Sequence, residues 1–181
     1  MKKVQIGNVA IGGGEKIAVQ SMTNVKTKNY GECIEQILRL ENAGCDIVRV
    51  AIPDLESAKA IAKIKPKIHI PLVADIHFDY KLALDCMENG VDKIRINPGN
   101  IGSEDRIKQV AGKARNLNIP IRIGINGGSL EKDILKKYSA PTPEAMLESA
   151  KRHIAILNKF DFDNIVLSLK ASNVKNTIAV Y

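Results

Sequence analysis

The chain has 181 residues, of which 45% are hydrophobic and 26% charged, so it can form one domain with a sizeable core, with room for at most a fragment of a second. No apolar run approaches the roughly 18 residues of a membrane span, and the first residues lack the apolar stretch of a signal peptide. Its 27 basic and 20 acidic residues give a net charge of +7, which is compatible with an anionic partner, either a nucleic acid or a phosphorylated small molecule. With four Tyr, three Phe and no Trp, the chain offers single-stranded nucleic acid few aromatic side chains to stack on.

A short hairpin is predicted first in the chain. Val4–Ile6 and Val9–Ile11 flank Gly7-Asn8, a residue pair typical of tight turns. We assign residues 1–16 to this hairpin and residues 17–181 to the main domain.

Beyond the hairpin, short β-branched runs alternate with amphipathic helical patterns. The predicted strands are 17–20, 46–50, 72–75, 93–96, 121–125 and 164–169. The predicted helices are 32–43, 55–64, 81–89, 104–117 and 143–158. Ser103 and Thr142 are predicted N-caps, and Gly44 and Gly90 are predicted to end the helices before them.

This alternation predicts an α/β fold with a parallel sheet and right-handed crossovers. Two architectures compete, an open doubly wound sheet and a (β/α)8 TIM barrel. A dinucleotide-binding sheet would carry Gly-x-Gly-x-x-Gly after its first strand, whereas Gln20 is followed by Ser21-Met22-Thr23-Asn24. We therefore favour a TIM-type barrel whose bottom is closed by the hairpin. Six strands are predicted where a barrel needs eight, and the last residues read as an unfinished helix, so we expect the barrel to be truncated to about six βα units.

Polar residues inside the predicted strands favour the barrel. Arg49, Arg95 and Arg122 lie in the second halves of strands that should be apolar if both faces were covered. Because strand side chains alternate between two faces, Arg95 shares a face with Asn97, and Arg122 shares one with Asn126. In a barrel these faces point inward at the carboxyl-terminal mouth, where such enzymes build their active sites. The plain alternative is that each Arg reaches solvent or pairs with a helix carboxylate.

Two further strand ends add to this set. Asp75 shares a face with His77, and Ser168 shares one with Lys170. The predicted mouth then holds four strong cations and a histidine with one carboxylate, Asp75. Such a site suits a multiply charged anion, because planar Arg side chains match phosphate oxygens. The Gly-containing stretches 97–102 and 126–129 could add backbone N–H groups for a phosphate.

Several motifs resemble those of the 4-hydroxy-3-methylbut-2-enyl diphosphate synthase family, the iron–sulfur oxidoreductases of non-mevalonate isoprenoid biosynthesis. In chain order they are 19–24, 46–50, 71–79, 95–102, 120–126, 128–131 and 168–172. The resemblance therefore runs, in order, from about Ile17 to the last residue.

The resemblance implies a barrel that binds 2-C-methyl-D-erythritol 2,4-cyclodiphosphate, which the family reduces with electrons from ferredoxin or flavodoxin. The family's basic substrate contacts fall on Arg49, Arg95, Arg122 and Lys170, and further mouth positions fall on His77, Asn97 and Asn126, with Asp75 in the same motif. The family also implies a homodimer and a C-terminal domain whose cysteines and glutamate bind a [4Fe–4S] cluster. We expect those ligands to lie beyond Tyr181, so that this fragment alone binds no cluster and contains no catalytic residue.

The three cysteines, Cys33, Cys45 and Cys86, are predicted to be structural. They are too few and too scattered for a disulfide scaffold or a Cys-x-x-Cys metal site. Cys33 is predicted near the mouth and the other two near the opposite end, so they should not converge, and buried Cys usually behaves as a small hydrophobic residue. This cysteine usage is typical of a reducing compartment, and we expect the protein in the cytoplasm.

Two functions of other classes stay open. A metal-dependent TIM-barrel hydrolase could use Asp75 and His77 as ligands, although no further His or carboxylate is predicted at the mouth. A nucleic-acid-binding module could depend on the net charge, although lysines such as Lys59 and Lys108 fall on predicted helix faces, where solvent exposure is the ordinary explanation. We expect neither a nucleic acid nor a membrane as partner, and a salt titration of DNA binding would test the former.

Overall fold

The structure is a computed structural model that describes residues 2–181, except for the side chains at positions 98 and 99. It contains a two-stranded antiparallel hairpin, with β1 at Val4–Ile6 and β2 at Val9–Ile11. A second sheet has six parallel strands: β3 (Gln20–Met22), β4 (Ile47–Ala51), β5 (Leu72–Asp75), β6 (Lys93–Ile96), β7 (Ile121–Asn126) and β8 (Ile165–Lys170).

The strand order of this sheet, β3-β4-β5-β6-β7-β8, follows the chain without a reversal. A doubly wound sheet reverses its order at a switch point, whereas a barrel adds each strand beside the one before it. The sheet is therefore a curled half-barrel of six parallel strands. The predicted α/β, TIM-type fold with about six βα units and an N-terminal hairpin is confirmed.

Helices cover the outer face of this sheet. They are α1 (Tyr30–Asn42), α2 (Leu55–Ile64), α3 (Tyr80–Glu88), α4 (Pro98–Ile101), α5 (Glu104–Asn116), α6 (Lys132–Tyr138), α7 (Pro143–Asn158) and α8 (Val174–Val180). Short 3₁₀ turns lie at Lys65–Lys67 and Gly127–Ser129. Within the described residues, no helix is both long and apolar enough to cross a membrane.

Local chemistry sets several helix ends as predicted. The Thr142 hydroxyl accepts a hydrogen bond from the Ala145 amide at 3.3 Å, and Pro143 takes the first helical position. Gly44 and Gly90 follow α1 and α3 with φ of +86° and +92°, a conformation that a residue with a Cβ rarely adopts. Ser103 occupies the N-cap of α5, but its side chain makes no capping hydrogen bond.

The first strand of the half-barrel was predicted at 17–20, and this assignment is wrong, since β3 spans Gln20–Met22 and so begins three residues later and ends two residues later. The Val19 amide donates to the Asp46 carboxylate at 2.7 Å instead of to a backbone carbonyl, so the regular ladder begins only at Gln20. Ile17 and Val19 are 89% and 57% exposed. Their β-branched side chains give the sequence pattern of a buried strand although both side chains are mostly exposed.

Two helices were not predicted. α4 lies within the stretch 97–102 that was predicted as a phosphate-binding loop, and the side chains at positions 98 and 99 lie outside the described part of the structure. α6 lies in the long connection between β7 and α7. Both are too short, at four and seven residues, to produce a clear apolar period.

The core has two layers because strand side chains alternate between faces. On the outer face, residues such as Val48, Ile94 and Ile123 pack against the helices in the main hydrophobic cluster. On the inner face, Ile47 and Val73 pack against Val4 and Ile6 of the hairpin. The hairpin therefore covers an apolar patch of the barrel interior.

Candidate functional site

The register of the sheet places the predicted mouth residues side by side. Asp75 of β5 is paired with Arg95 of β6, and Arg95 is paired with Arg122 of β7. Arg49 of β4 is paired with Val73, two residues before Asp75 on the same face. Since paired residues in a sheet point to the same face, one inner surface carries all four charged side chains.

Asp75 is the centre of this group. Its side chain is buried and receives Arg95 Nη1 at 3.0 Å on one carboxylate oxygen. His77 Nε2 lies 3.4 Å from the same oxygen, and Arg49 Nε lies 3.6 Å from the other. The carboxylate thus holds three basic side chains at the carboxyl end of the sheet, as the sequence predicted for Arg49, Asp75, His77 and Arg95.

Arg95 lies directly against the backbone of β7. A Cβ added at Gly124 would come within 2.8 Å of both Nε and Nη2 of Arg95. Glycine at this position therefore leaves the space that the guanidinium fills. Gly124 was not predicted as a site residue, although it lies on the same strand face as Arg122 and Asn126.

Arg122 is turned towards a different set of partners. Its Nη2 donates to the Ser168 hydroxyl at 2.6 Å, and its Nη1 lies 3.5 Å from the Gln20 side-chain oxygen. Its Nε is buried without a hydrogen-bond partner among the described residues. Burial lowers the pKa of Arg122, and the nearby Arg49 and Arg95 lower it further, so this guanidinium lies in a region of accumulated positive charge.

A cavity of about 600 Å³ opens beside Arg122 on the inner face of the sheet. Its polar walls include Gln20, Lys93, Ser168 and Tyr181. From the sequence, Ser168 was predicted only to share a strand face with Lys170, and the other three were not predicted near the site. Lys93 precedes Arg95 by two residues, and this shared face was the signal that could have found it.

The remaining predicted residues lie around this group. Asn126 and Lys170 are paired with each other at the ends of β7 and β8. The Asn126 side chain accepts a hydrogen bond from the Gly128 amide at 3.3 Å and so shapes the 3₁₀ turn after β7. Asn97 follows β6 directly, and its carbonyl accepts the Asn100 amide at 2.9 Å. The structure thus places Asn97, Asn126 and Lys170 at the same end of the sheet as Asp75. Among the described residues, no hydrogen bond joins Asn126 or Lys170 to Asp75.

Iron–sulfur ligation does not fit the cysteines of this chain. Cys33 lies in α1, Cys45 precedes β4 and Cys86 lies in α3, and all three are buried free thiols. Burial raises the pKa of Cys33 to about 11 and that of Cys86 to about 12, so both resist forming the thiolate that a metal requires. Within residues 2–181, no group of three or more His, Cys, Asp or Glu side chains is placed to hold a metal ion.

A metal site at Asp75 and His77 is also disfavoured. The neighbours of this pair are Arg49 and Arg95, which would repel a cation.

The whole chain matches one protein family. Residues 1–181 match the family described as GcpE TIM-barrel domain. Over 177 residues the chain is 62% identical to a 4-hydroxy-3-methylbut-2-en-1-yl diphosphate synthase (flavodoxin) of Caldicellulosiruptor saccharolyticus, covering 98% of this chain and 51% of that protein. A protein of the same name from Pseudomonas paraeruginosa is 58% identical over 180 residues, covering 99% of this chain and 48% of that protein. The chain thus spans about half the length of the curated relatives it matches.

Solved structures of low sequence identity share the fold. A type I 3-dehydroquinate dehydratase from Clostridium difficile superposes with a TM-score of 0.70 at 16% identity, covering 98% of this chain and 72% of that one. A dihydropteroate synthase from Xanthomonas albilineans superposes with a TM-score of 0.66 at 12% identity, covering 92% of this chain and 64% of that one. At these identities the likeness concerns the barrel architecture alone.

Proposed function

Because the chain belongs to the GcpE TIM-barrel family, we propose that it forms the substrate-binding barrel of a 4-hydroxy-3-methylbut-2-enyl diphosphate synthase. The complete enzyme would reductively open 2-C-methyl-D-erythritol 2,4-cyclodiphosphate in the non-mevalonate pathway. Flavodoxin, named in the curated relatives, would be the electron donor. We place the enzyme in the cytoplasm as a homodimer.

The observation that carries this proposal is the group of arginines gathered on one inner face of the sheet. Arg49 and Arg95 share the single carboxylate of Asp75, and Arg122 contacts only neutral side chains in the described hydrogen bonds. The interior therefore carries an excess of positive charge that a multiply charged anion would neutralise. A cyclic diphosphate has such a charge, together with several phosphate oxygens that planar guanidinium groups can hold in pairs of hydrogen bonds.

Each residue has a role in this proposal that follows from its position. Arg49, Arg95, Arg122 and Lys170 hold the diphosphate oxygens, and His77, Asn97 and Asn126 make further polar contacts with the substrate. Asp75 orients Arg49 and Arg95. Its hydrogen bond with Arg95 occupies one of the five guanidinium donors, which leaves the others for the substrate. The redox chemistry is assigned to an iron–sulfur centre held by residues outside these 181, because the cysteines within them do not fit one.

Substitution of the three arginines in the complete enzyme tests this function. Arg49→Ala, Arg95→Ala and Arg122→Ala each remove charged hydrogen bonds, which are worth roughly 1.5–3 kcal/mol or about 10- to 150-fold in affinity. Calorimetry with the cyclodiphosphate should therefore show losses of this size, with little change in fold stability. Arg39→Ala, at an exposed position on α1, is the matched control and should bind normally. Near-normal substrate affinity in all three mouth variants would refute the assignment.

A further inference from the structure

Lys93 is a lysine buried inside the half-barrel. It is 2% exposed and is among the largest fully buried side chains of the described chain. It begins β6 on the inner face, two residues before Arg95, and its side chain lines the cavity of about 600 Å³ beside Arg122. Lysine is almost never fully buried unless it is paired, so this position needs an explanation.

The Lys93 amine has little to bind in the protein itself. Its hydrogen bond goes to the side-chain oxygen of Gln20 at 3.4 Å, and the same oxygen is approached by Arg122 at 3.5 Å. An ammonium carries three donors, so one shared amide oxygen leaves most of them unmatched. No carboxylate among the described residues lies within 4.0 Å of the Lys93 amine.

The charged groups that face Lys93 are mainly cations. Burial disfavours its protonation most, and Arg122 of β7 and Arg49 of β4 disfavour it further, so the pKa of Lys93 is lowered to about 7. The other titratable groups around the same interior are Asp75 on β5, Arg95 on β6, Tyr181 after α8, and Glu15 and Lys16 before β3. Asp75 is engaged by Arg49, Arg95 and His77, and Glu15 pairs with Lys3.

An anion in this cavity would favour the protonation of Lys93, which the surrounding cations disfavour. Phosphate oxygens next to Arg122 would bring negative charge and further hydrogen-bond acceptors to a region where Lys93 and Arg122 share the Gln20 side-chain oxygen. Since opposite charge favours the protonated form of an amine, the same ligand that binds the arginines would also stabilise the ammonium of Lys93.

We propose that Lys93 is a further member of the anion-binding site, taking up a proton when a diphosphate group binds beside Arg122 and releasing it when the ligand leaves. The inference rests on the proposed function, because it takes the diphosphate of the substrate as the anion. Lys93 then contributes positive charge to the bound state without adding a fourth fixed cation to the empty interior. Binding and proton uptake are coupled through one side chain.

Isothermal titration of the complete enzyme with inorganic pyrophosphate at pH 8 tests this coupling. Measurements in two buffers with different ionisation heats give the number of protons exchanged per ligand bound. Pyrophosphate can itself exchange a proton, so the measured quantity is the difference between the wild type and Lys93→Met. We expect the wild type to take up close to one proton more than the variant and to bind roughly 10-fold more tightly. Lys108→Met, an exposed change on α5, should behave like the wild type.

A second measurement needs no ligand. In protein carrying isotope-labelled lysine side chains, the resonance that disappears in Lys93→Met identifies Lys93, and its NMR titration should have a midpoint near 7 that rises when pyrophosphate is added. A midpoint near the ordinary value of 10.5, or equal proton exchange in wild type and variant, would overturn the role of Lys93 alone. Failure of pyrophosphate to bind the wild type at all would instead refute the anion site and the proposed function together.

Discussion

The position of Arg95 depends on the absence of a side chain at Gly124, which lies against it on β7. Gly124→Ala would bring a methyl group within 2.8 Å of the guanidinium, which is the far end of a flexible side chain and can move aside. We therefore expect fold stability to change little while the affinity for the cyclodiphosphate falls by about 10-fold, because Arg95 leaves Asp75. Calorimetry and thermal unfolding of the same variant measure the two effects.

Gly112→Ala provides the control for this substitution. Gly112 lies within α5, and a Cβ added there would meet no atom within 4 Å. Alanine should stabilise the helix by up to about 1 kcal/mol and leave binding unchanged. If Gly124→Ala also binds normally, the close packing of Arg95 on β7 is not required for the site.

The cysteines lead to a second prediction about single residues. Cys33, Cys45 and Cys86 are buried, and burial raises the pKa of Cys33 and Cys86. Changing each to Ala in the complete enzyme should leave its iron content and iron–sulfur absorbance intact. Loss of that absorbance in any one variant would show that its thiol serves the cluster.

At the scale of single residues, strand alternation was enough to predict that Arg49, Asp75, Arg95 and Arg122 share one face. It also placed His77 beside Asp75, where the structure has it at 3.4 Å. Lys93 and Gln20 were missed because each lies at one end of its predicted strand, where a polar residue resembles an ordinary strand boundary. Their involvement depends on how far a side chain reaches across the barrel, and such distances are not encoded in local pattern.

Among the elements, the caps of two helices differ in a way that can be measured. The Asp54 carboxylate accepts the Ser57 amide at 2.8 Å at the start of α2, whereas Ser103 at the start of α5 makes no such bond. Asp54→Ala should therefore lower the free energy of unfolding by about 1 kcal/mol, and Ser103→Ala by clearly less. Thermal or urea unfolding of the two variants provides the comparison, and equal losses would contradict it.

The contribution of Asp54 should also depend on pH. Its hydrogen bonds with Ser57 lower its pKa in the folded state. A lowered pKa means that the stabilisation is present above the unfolded value of about 3.9 and is lost as the pH falls through the folded value. The difference between wild type and Asp54→Ala should therefore shrink in acid.

The elements themselves were predicted unevenly, for physical reasons. Strands β4 to β7 were placed within one residue because strands on both sides and helices outside bury their apolar side chains. β8 was placed equally well although it is an end strand, since residues 165–169 keep a mostly apolar pattern. β3, the other end strand, was misplaced because Ile17 and Val19 keep the apolar pattern without the burial that normally accompanies it. α6 was missed because its sequence from Lys132 to Tyr138 is short, mostly polar and lacks a capping side chain.

For the molecule as a whole, the two end strands lead to a further prediction. Within the described residues, β3 and β8 are the ends of the sheet, and apolar side chains such as Ile17 and Ile178 are exposed nearby. Unpaired strand edges with apolar neighbours favour association between copies. We expect the 181-residue chain alone to self-associate or to be poorly stable, and to have no reductase activity.

Light scattering and an anaerobic activity assay after reconstitution with iron and sulfide test this prediction. The relatives, which are about twice as long, provide the comparison, since a full-length relative should be active in the same assay. A stable monomer of the 181-residue chain that converts the cyclodiphosphate would contradict both expectations.

The alternation that aims the arginines inward also has a consequence for folding fidelity. If β6 slipped by one residue against its neighbours, Arg95 would enter the helix-packed layer and Ile94 and Ile96 would enter the polar interior. Burying an unpaired guanidinium among Ile and Val side chains carries a large cost, so misregistered pairings of β4, β6 and β7 are strongly disfavoured. The residues proposed to recognise the ligand thus also select the correct strand register before any ligand is present.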